Sequence, residues 1–495
     1  MESSPLSAVI HGHFYQPPRD DPWLETVEAQ PSAAPYHDWN ERIEEECYRA
    51  VVAARIPGAG GRIASILNAL EFISFNFGPT LLDWLEKETP GTYRAIREAD
   101  ARSAARLGGH GNAIAQPYHH TILPLASRRE KVSEVRWGVA DFRRRFGRDP
   151  VGMWLPETAV DGVTLDVLAQ EGIAFTIVAP HQVEKTPPHG LPGLYRTPGG
   201  RSIALFVYDG PLSHGVAFGS LLQDAGKWAK EMVGAGEDPS QLVSIATDGE
   251  TYGHHHRFGE MALAAVLELL AENPGVRIEN FASFLSRNHP EHEVALVEPS
   301  SWSCSHGVER WRSDCGCKLN PHVETQQQWR SGLRDALEWL ASQIHRVFEA
   351  EGGPLLGDPW AARNRYGPTG ASDNKNLRAL ELLELERQAL RLFTSCGWFF
   401  DDLARVEPIQ VLRYAARALE LIGPSRSEVE DSFLERLEAP VSNEEPARTG
   451  REIFLQEARP EVPAHLRVAA GSALWGEITG KPIAREEWEP AASTS

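Results

Sequence analysis

Two short stretches carry carboxyls of the kind that acid–base chemistry uses. They are Trp154-Leu155-Pro156-Glu157-Thr158 and Thr247-Asp248-Gly249-Glu250-Thr251-Tyr252-Gly253-His254-His255-His256. Each follows an apolar run that reads as a buried strand, so Glu157 and Asp248 are expected at strand ends. Glycosidic bond cleavage needs such a pair: one carboxyl attacks the anomeric carbon and the other protonates the leaving oxygen. Glu250, beside Asp248, would raise the pKa of Asp248 by like-charge repulsion, as an acid catalyst requires. The plainer readings are that Glu157 caps the helix that follows and that Asp248 opens an Asp-Gly turn.

Histidines favour the catalytic reading. His11 and His13 sit two apart at the end of the first strand, so both rings can face one side. His110, His119, His120 and the run 254–256 add to the same rim. Neutral imidazoles hydrogen-bond sugar hydroxyls and can also bind zinc. Asp209, after Leu205-Phe206-Val207-Tyr208, could hold a sugar hydroxyl or form a turn. Between 300 and 320, Cys304, His306, Cys315 and Cys317 offer four soft ligands within fourteen residues, enough for one tetrahedral zinc. The same loop could instead use Trp302, His306 and Trp311 for sugar contacts and keep its thiols free. No metal and no cofactor is assigned on this ground.

The elements that must position these residues alternate. Apolar runs at Ala8–Ile10, Phe72–Phe77, Ala113–Ala115, Val151–Trp154, Phe175–Val178, Ile203–Tyr208 and Leu242–Ala246 read as strands. Helical periodicity is clearest at 127–146, 162–171 and 258–272. Alternating strand and helix predict a parallel α/β sheet, and seven strands suit an incomplete TIM-like (β/α) barrel with its chemistry at the strands' carboxyl ends. Helical stretches at 323–350, 375–396 and 408–422 predict a bundle packed on the barrel, with 352–370 as a connection. The expected organisation is a barrel over 1–290, a cysteine-bearing loop and bundle completing the cleft over 291–440, and a short segment over 441–495. That last part includes a strand at 452–456, an apolar run near 466–475 and a mobile final dozen residues.

Bulk properties narrow the class. The 495 residues carry a formal charge of −20, which disfavours nucleic acid and anionic membrane as partners. No apolar run reaches the roughly 18–20 residues of a membrane helix, and the start has no cationic leader. Five cysteines fit a reducing, cytoplasmic setting better than a disulfide scaffold. Fourteen tryptophans leave some for stacking on sugar rings.

In this order the motifs resemble glycoside hydrolase family 57, retaining enzymes acting on α-glucans with a seven-stranded barrel and a helical domain. His11-Gly12-His13-Phe14-Tyr15-Gln16-Pro17 is similar to its first motif, His120-Thr121-Ile122-Leu123-Pro124-Leu125 to its second and Trp154-Leu155-Pro156-Glu157 to its third. Asp248-Gly249-Glu250-Thr251-Tyr252-Gly253-His254 is similar to its fourth, and Ser395-Cys396-Gly397-Trp398-Phe399 to a stretch that supplies an aromatic to the cleft. The resemblance implies Glu157 as nucleophile and Asp248 as general acid/base, with an oligo- or polysaccharide as substrate. His11, His13, Gln16, His120, Trp154, Asp209, His254, Trp302, His306 and Trp398 are the residues expected to bind it. Two departures stand out: Cys396-Gly397 replaces the usual aspartate before the last aromatic, and the cysteine loop differs from a simpler Ser-Trp-Gly loop. Two other readings remain open. One is a metal-dependent carbohydrate hydrolase, mannosidase- or deacetylase-like, with zinc on His11, His13, Asp248 and a further histidine. The other is a carbohydrate-binding barrel without turnover.

Overall fold

A computed structural model describes residues 5–474 apart from 59, 61, 237–240, 368–369, 371, 373, 461, 463–465, 467–468 and 472. Its strands are β1 (Leu6–Phe14), β2 (Ala54–Pro57), β3 (Ile63–Leu67), β4 (Ser74–Phe77), β5 (Phe175–Val178), β6 (Gly193–Arg196), β7 (Ser202–Val207), β8 (Leu242–Asp248), β9 (Val276–Ile278) and β10 (His292–Glu293). All nine residues of β1 are buried, which a strand between parallel neighbours with both faces covered requires. β1 pairs in parallel with β8 on one side and with β4 and β9 on the other, placing His13 level with Asn76 and Asp248.

A second sheet runs β10-β6-β7-β5, with β5 and β7 parallel and β6 antiparallel to β7. β2 and β3 form a separate hairpin. The two larger sheets meet through single bridges rather than continuous strands: Phe75 to Ala113, Ala115 to Met153, and Gly152 to Phe175. On the opposite side the Asp209 N–H donates to the Ser244 carbonyl at 2.7 Å. The expected strands at 113–115 and 151–154 are therefore reduced to isolated pairings. At the second of these the chain turns away at Pro156, which has no N–H to extend a ladder. The fold is α/β, with a largely parallel sheet and many helices.

Helices appear close to where periodicity places them: Arg128–Phe146, Gly162–Gln170, Gly259–Glu272, Trp329–Leu356, Leu377–Arg391 and Val406–Leu421. The first begins in a capping box, Ser127 with Glu130, and stops at left-handed Gly147. Two expectations are corrected. The 352–370 connection is partly helical, because Trp329–Leu356 runs through Gly352 and Pro354 and is followed by a helix at Pro359–Tyr366. The 452–456 strand is helical, Gly450–Ile453 continuing as a π turn over Phe454–Ala458. A Thr449/Glu452 capping box starts it, and Ile453, Phe454 and Ala458 form the buried face, a spacing a strand would split between two sides. Of the 466–475 run, the described residues 466, 469–471 and 473–474 are helical, and the final dozen residues lie wholly outside the described residues.

The helical half has its own core around Trp329, Leu337, Phe348, Leu382, Trp398 and Leu412. Tyr118, Ile122, Trp137 and Ala159, from the strand-bearing half, belong to the same cluster, so the two halves share packing. A buried polar seam reinforces the joint. Arg363 donates to Glu386 at 2.7 Å and Ser133 at 2.8 Å, and His345 lies between Glu386 and Glu130 at 2.8 and 3.2 Å. Burial opposes a charge on His345, but the two carboxylates outweigh it and push its pKa up to about 9.

Candidate active site

Glu157 stands just past the 151–154 segment in left-handed backbone, φ 57°. It does not cap the following helix, which Asp161 caps instead. One carboxylate oxygen, Oε2, accepts from the Trp302 indole N–H at 3.0 Å and from the Ser303 hydroxyl at 2.6 Å. The Trp302 backbone N–H also donates to the Glu157 carbonyl at 3.0 Å. Burial raises the Glu157 pKa, and the two donors and the Arg310 charge work against that rise. Protein surrounds the carboxyl on most sides while part of it stays accessible, as at the floor of a cleft.

Asp248 is the last residue of β8 and is likewise only partly covered. Among the described residues its carboxylate makes no hydrogen bond. Burial lifts its pKa well above the usual range, and the charges of Glu250 and Glu157 add to the lift. Glu250 is deeper: it accepts from the Tyr48 hydroxyl at 2.5 Å and the Tyr15 backbone N–H at 3.1 Å. Burial still pushes its pKa up to about 7. Between them Gly249 leaves room for the Phe14 ring, which a Cβ there would strike at 2.2 Å. That contact accounts for a glycine between the two acids.

The histidines form a continuous floor. His11 and His13 stack on Trp154 with centroids 4.9 and 5.1 Å away, and His120 stacks on Tyr15 at 3.6 Å. Asn76 donates through Nδ2 to Gln116 Oε1 at 2.7 Å and to His13 Nδ1 at 2.9 Å, leaving Oδ1 to accept from His11 Nε2 at 3.1 Å. With Asn76 so oriented, one set of tautomers satisfies the row. Ser74 donates to His11 Nδ1 (3.0 Å), His13 Nε2–H donates to His120 Nε2 (3.3 Å), and His120 Nδ1–H donates to Ser395 Oγ (2.6 Å). Burial holds His11 and His13 neutral, with pKa values down to about 3, and takes His120 well below its ordinary value. Every ring nitrogen of His11 and His13 is engaged, so neither ring offers a free lone pair to an ion, which weakens the zinc-hydrolase reading.

Of the residues singled out in the sequence, His11, His13, His120, Trp154 and Trp302 thus gather with Glu157 through stacking or hydrogen bonds. Gln16 comes close to Glu250 and Tyr48. Four others are engaged elsewhere. Asp209 caps the helix Gly210–Ala217, accepting from the Leu212 N–H at 2.8 Å. His254 pairs through Nδ1 with Glu46 at 2.5 Å. His306 lies with Cys304, Cys315 and Cys317. Trp398 is buried in the helical core, donating to the Arg330 carbonyl at 3.1 Å, because Cys396 rather than Trp398 takes the place facing the floor. Cys396 Sγ lies 3.3 Å from Tyr15 Oη, and burial pushes its pKa up to about 12. Tyr15, Tyr48, Asn76 and Ser303 are additions to the expected set. Two of them had a signal: Tyr15, from its place inside the first His-bearing motif, and Asn76, from its place at the carboxyl end of the apolar run 72–77.

A cavity of about 380 Å³ lies beside this floor, lined by Gln16, Arg19, Asp83, Trp84, Tyr366 and Arg391 among others, and includes neither Glu157 nor Asp248.

Comparison with known proteins agrees with the motifs. The profile of Glycosyl hydrolase family 57 matches residues 34–296, and a domain of unknown function (DUF3536) matches 326–372 and 368–486. The 4-alpha-glucanotransferase of Thermococcus litoralis is 20% identical over 247 residues, 47% of this chain and 36% of that protein. The chain thus spans about a third of the length of that curated relative. An exo-type maltose-forming amylase from Pyrococcus sp. ST04 superposes with a TM-score of 0.67 at 16% identity, covering 96% of this chain and 85% of that one. A branching enzyme of the same family from Pyrococcus horikoshii gives 0.54 at 17% identity, covering 94% and 99%. At these identities the superpositions speak to the fold. The profile match, over more than half of the 495 residues, speaks to descent: the chain belongs to glycosyl hydrolase family 57.

Proposed function

We propose that this protein is a retaining glycoside hydrolase or transglycosylase acting on α-glucan-like polysaccharide, with Glu157 as nucleophile and Asp248 as general acid/base. The observation that carries the reading is the contrast between the two carboxyls. Glu157 is supplied with two donors that favour its ionised form. Asp248 has none among the described residues, and burial and two neighbouring acids push its pKa well upward, toward the acid form. Environments that push two carboxyls apart assign the base and the acid.

In the first step the Glu157 carboxylate forms a bond to the anomeric carbon. The glycosidic C–O bond breaks, and the Asp248 proton goes to the leaving oxygen. In the second, the Asp248 carboxylate takes a proton from water or a sugar hydroxyl, whose oxygen replaces Glu157 at the same carbon. The neutral histidine row and Trp154 offer hydrogen-bonding and apolar surface under the sugar. The ring of pairings through β1, β4, 113–115, 151–153, β5, β7 and β8 supports reading the fold as the family's seven-stranded barrel.

The further organisation follows from where the partners of Glu157 and His120 lie. Trp302, Ser303 and Ser395 reach Glu157 and His120 from beyond residue 290, which supports a barrel over 1–290 completed by 291–440. Five free cysteines and the net charge of −20 support a reducing cytoplasmic setting and a neutral polymer as partner. Among the described residues no helix is long and apolar enough to cross a membrane.

Product analysis on maltooligosaccharides and glycogen with Glu157→Gln tests the reading. The variant should lose turnover while keeping its circular dichroism and thermal transition; unchanged activity would overturn the mechanism.

A further inference from the structure

The cysteine loop has a geometry of its own. The donor atoms of Cys304, His306, Cys315 and Cys317 all lie within 4.8 Å of one another, the only such group of potential metal ligands among the described residues. Cys304 Sγ is 3.9 Å from Cys315 Sγ and 3.8 Å from Cys317 Sγ, and Cys317 Sγ is 3.5 Å from His306 Nδ1. These sulfurs are far beyond the ~2.0 Å of a disulfide bond, and all are free thiols. A tetrahedral zinc with Zn–S of about 2.3 Å and Zn–N of about 2.0–2.1 Å has edges of about 3.8 Å between sulfurs and about 3.6 Å between sulfur and nitrogen. The three separations fall close to those edges.

We propose that Cys304, His306, Cys315 and Cys317 bind one zinc ion in a closed structural site that fixes the loop holding Glu157. Four protein ligands fill a tetrahedron and leave no position for substrate or water, which marks the site as structural rather than catalytic. The backbone is shaped for it. Gly316, between the two paired cysteines, has φ 80° with open space where a Cβ would be, so its requirement is conformational: a left-handed turn lets both sulfurs face one point. The backbone N–H groups of His306 and Arg310 are directed at the Cys304 sulfur. Three thiolates and one zinc leave a net charge of −1. Arg330, donating to the Cys317 carbonyl at 2.8 Å, and Arg310, donating to the Ser303 carbonyl at 3.1 Å, supply positive charge alongside.

The consequence for the cleft follows from sequence adjacency. Trp302 and Ser303, the two side-chain donors to Glu157, immediately precede Cys304, so the ion anchors the chain within two residues of the groups that orient the carboxylate. This positioning role rests on the proposed function of Glu157; the existence of the site does not.

Elemental analysis of the full chain, produced with zinc in the medium and purified without chelator, should give one zinc per chain. The Cys315→Ser/Cys317→Ser double variant should lose it. Should that variant fail to fold, the wild type stripped with chelator and titrated with cobalt(II) provides a second reading. Tetrahedral cobalt bands with a thiolate charge-transfer absorption should saturate at one equivalent. Metal far below one per chain, or cobalt spectra without thiolate character, overturns the site. Stripping the zinc should also lower kcat/KM by about 10²-fold, the cost of misplacing a catalytic group by about 1 Å. Zinc loss with unchanged kcat/KM overturns the positioning role, whereas the metal analyses need no substrate at all.

Discussion

Replacing Ser303 with alanine removes a hydroxyl that donates to Glu157 Oε2 at 2.6 Å and leaves the Trp302 indole at 3.0 Å as the remaining side-chain donor. A hydrogen bond to an ionised group contributes about 1.5–3 kcal/mol, and about 1.4 kcal/mol corresponds to one pKa unit. The Glu157 pKa, already raised by burial, should climb by a further one to two units or so. Glu157 must be ionised to attack, so kcat/KM rises with pH through this pKa. The acid limb of the pH profile should therefore move upward by about one to two pH units. Well below the limb the variant should be about 10- to 100-fold slower than wild type, and well above it the two should converge. The assay is kcat/KM for a chromogenic maltooligosaccharide between about pH 4 and 8, with thermal unfolding as a check on the fold. A limb that stays in place while the rate falls by one factor at every pH would refute the idea that Ser303 tunes ionisation.

Glu250→Gln should resemble wild type below about pH 6, where Glu250 is itself protonated, and diverge above about pH 7, the pKa to which burial raises it. Without the Glu250 charge the Asp248 pKa drops, so the basic limb of kcat/KM should move to lower pH; a fixed basic limb would show that Glu250 does not act on Asp248. Because the folded pKa of Glu250 lies above its unfolded value, its stabilising contribution is full below about pH 4.5 and lost as pH rises through 7. Relative to wild type, Glu250→Gln should therefore gain about 3 kcal/mol between pH 5 and 8 in urea unfolding. Trp398→Phe, deep in the helical core, should cost about 1–3 kcal/mol of stability and leave KM unchanged; a raised KM with intact stability would return Trp398 to the cleft.

How much could be read in advance depended on whether a residue's role was local. The strand-end positions of Glu157 and Asp248 were legible because each ends an apolar run, and the long helices were legible because their buried faces repeat every three to four residues. Ser303 was not: its importance lies in a bond to Glu157 that no spacing announces. Asn76 was legible as a strand end, but its bonds to two histidines were not. His254 and Asp209 misled because a polar residue near a strand end serves as well for a salt bridge or a helix cap. Trp398 misled for a different reason. The helix Cys396–Phe399 presents Cys396 to Tyr15, and a neighbour two positions along a helix points elsewhere. The strand expected at 452–456 failed because five apolar-rich residues fit either period, and only the capping box upstream separates them.

Several of the groups that complete the floor come from outside the segment that matches the family profile. His11 and His13 precede residue 34, and Trp302, Ser303 and Ser395 follow residue 296. A piece cut at those two boundaries would contain both proposed catalytic carboxyls and yet lack the two side-chain donors of one and most of the histidine row beneath them. The two matched segments are in this sense interlocked. Neither could be exchanged for a counterpart from another protein unless the loop around residue 303 and the turn at Ser395 came with it.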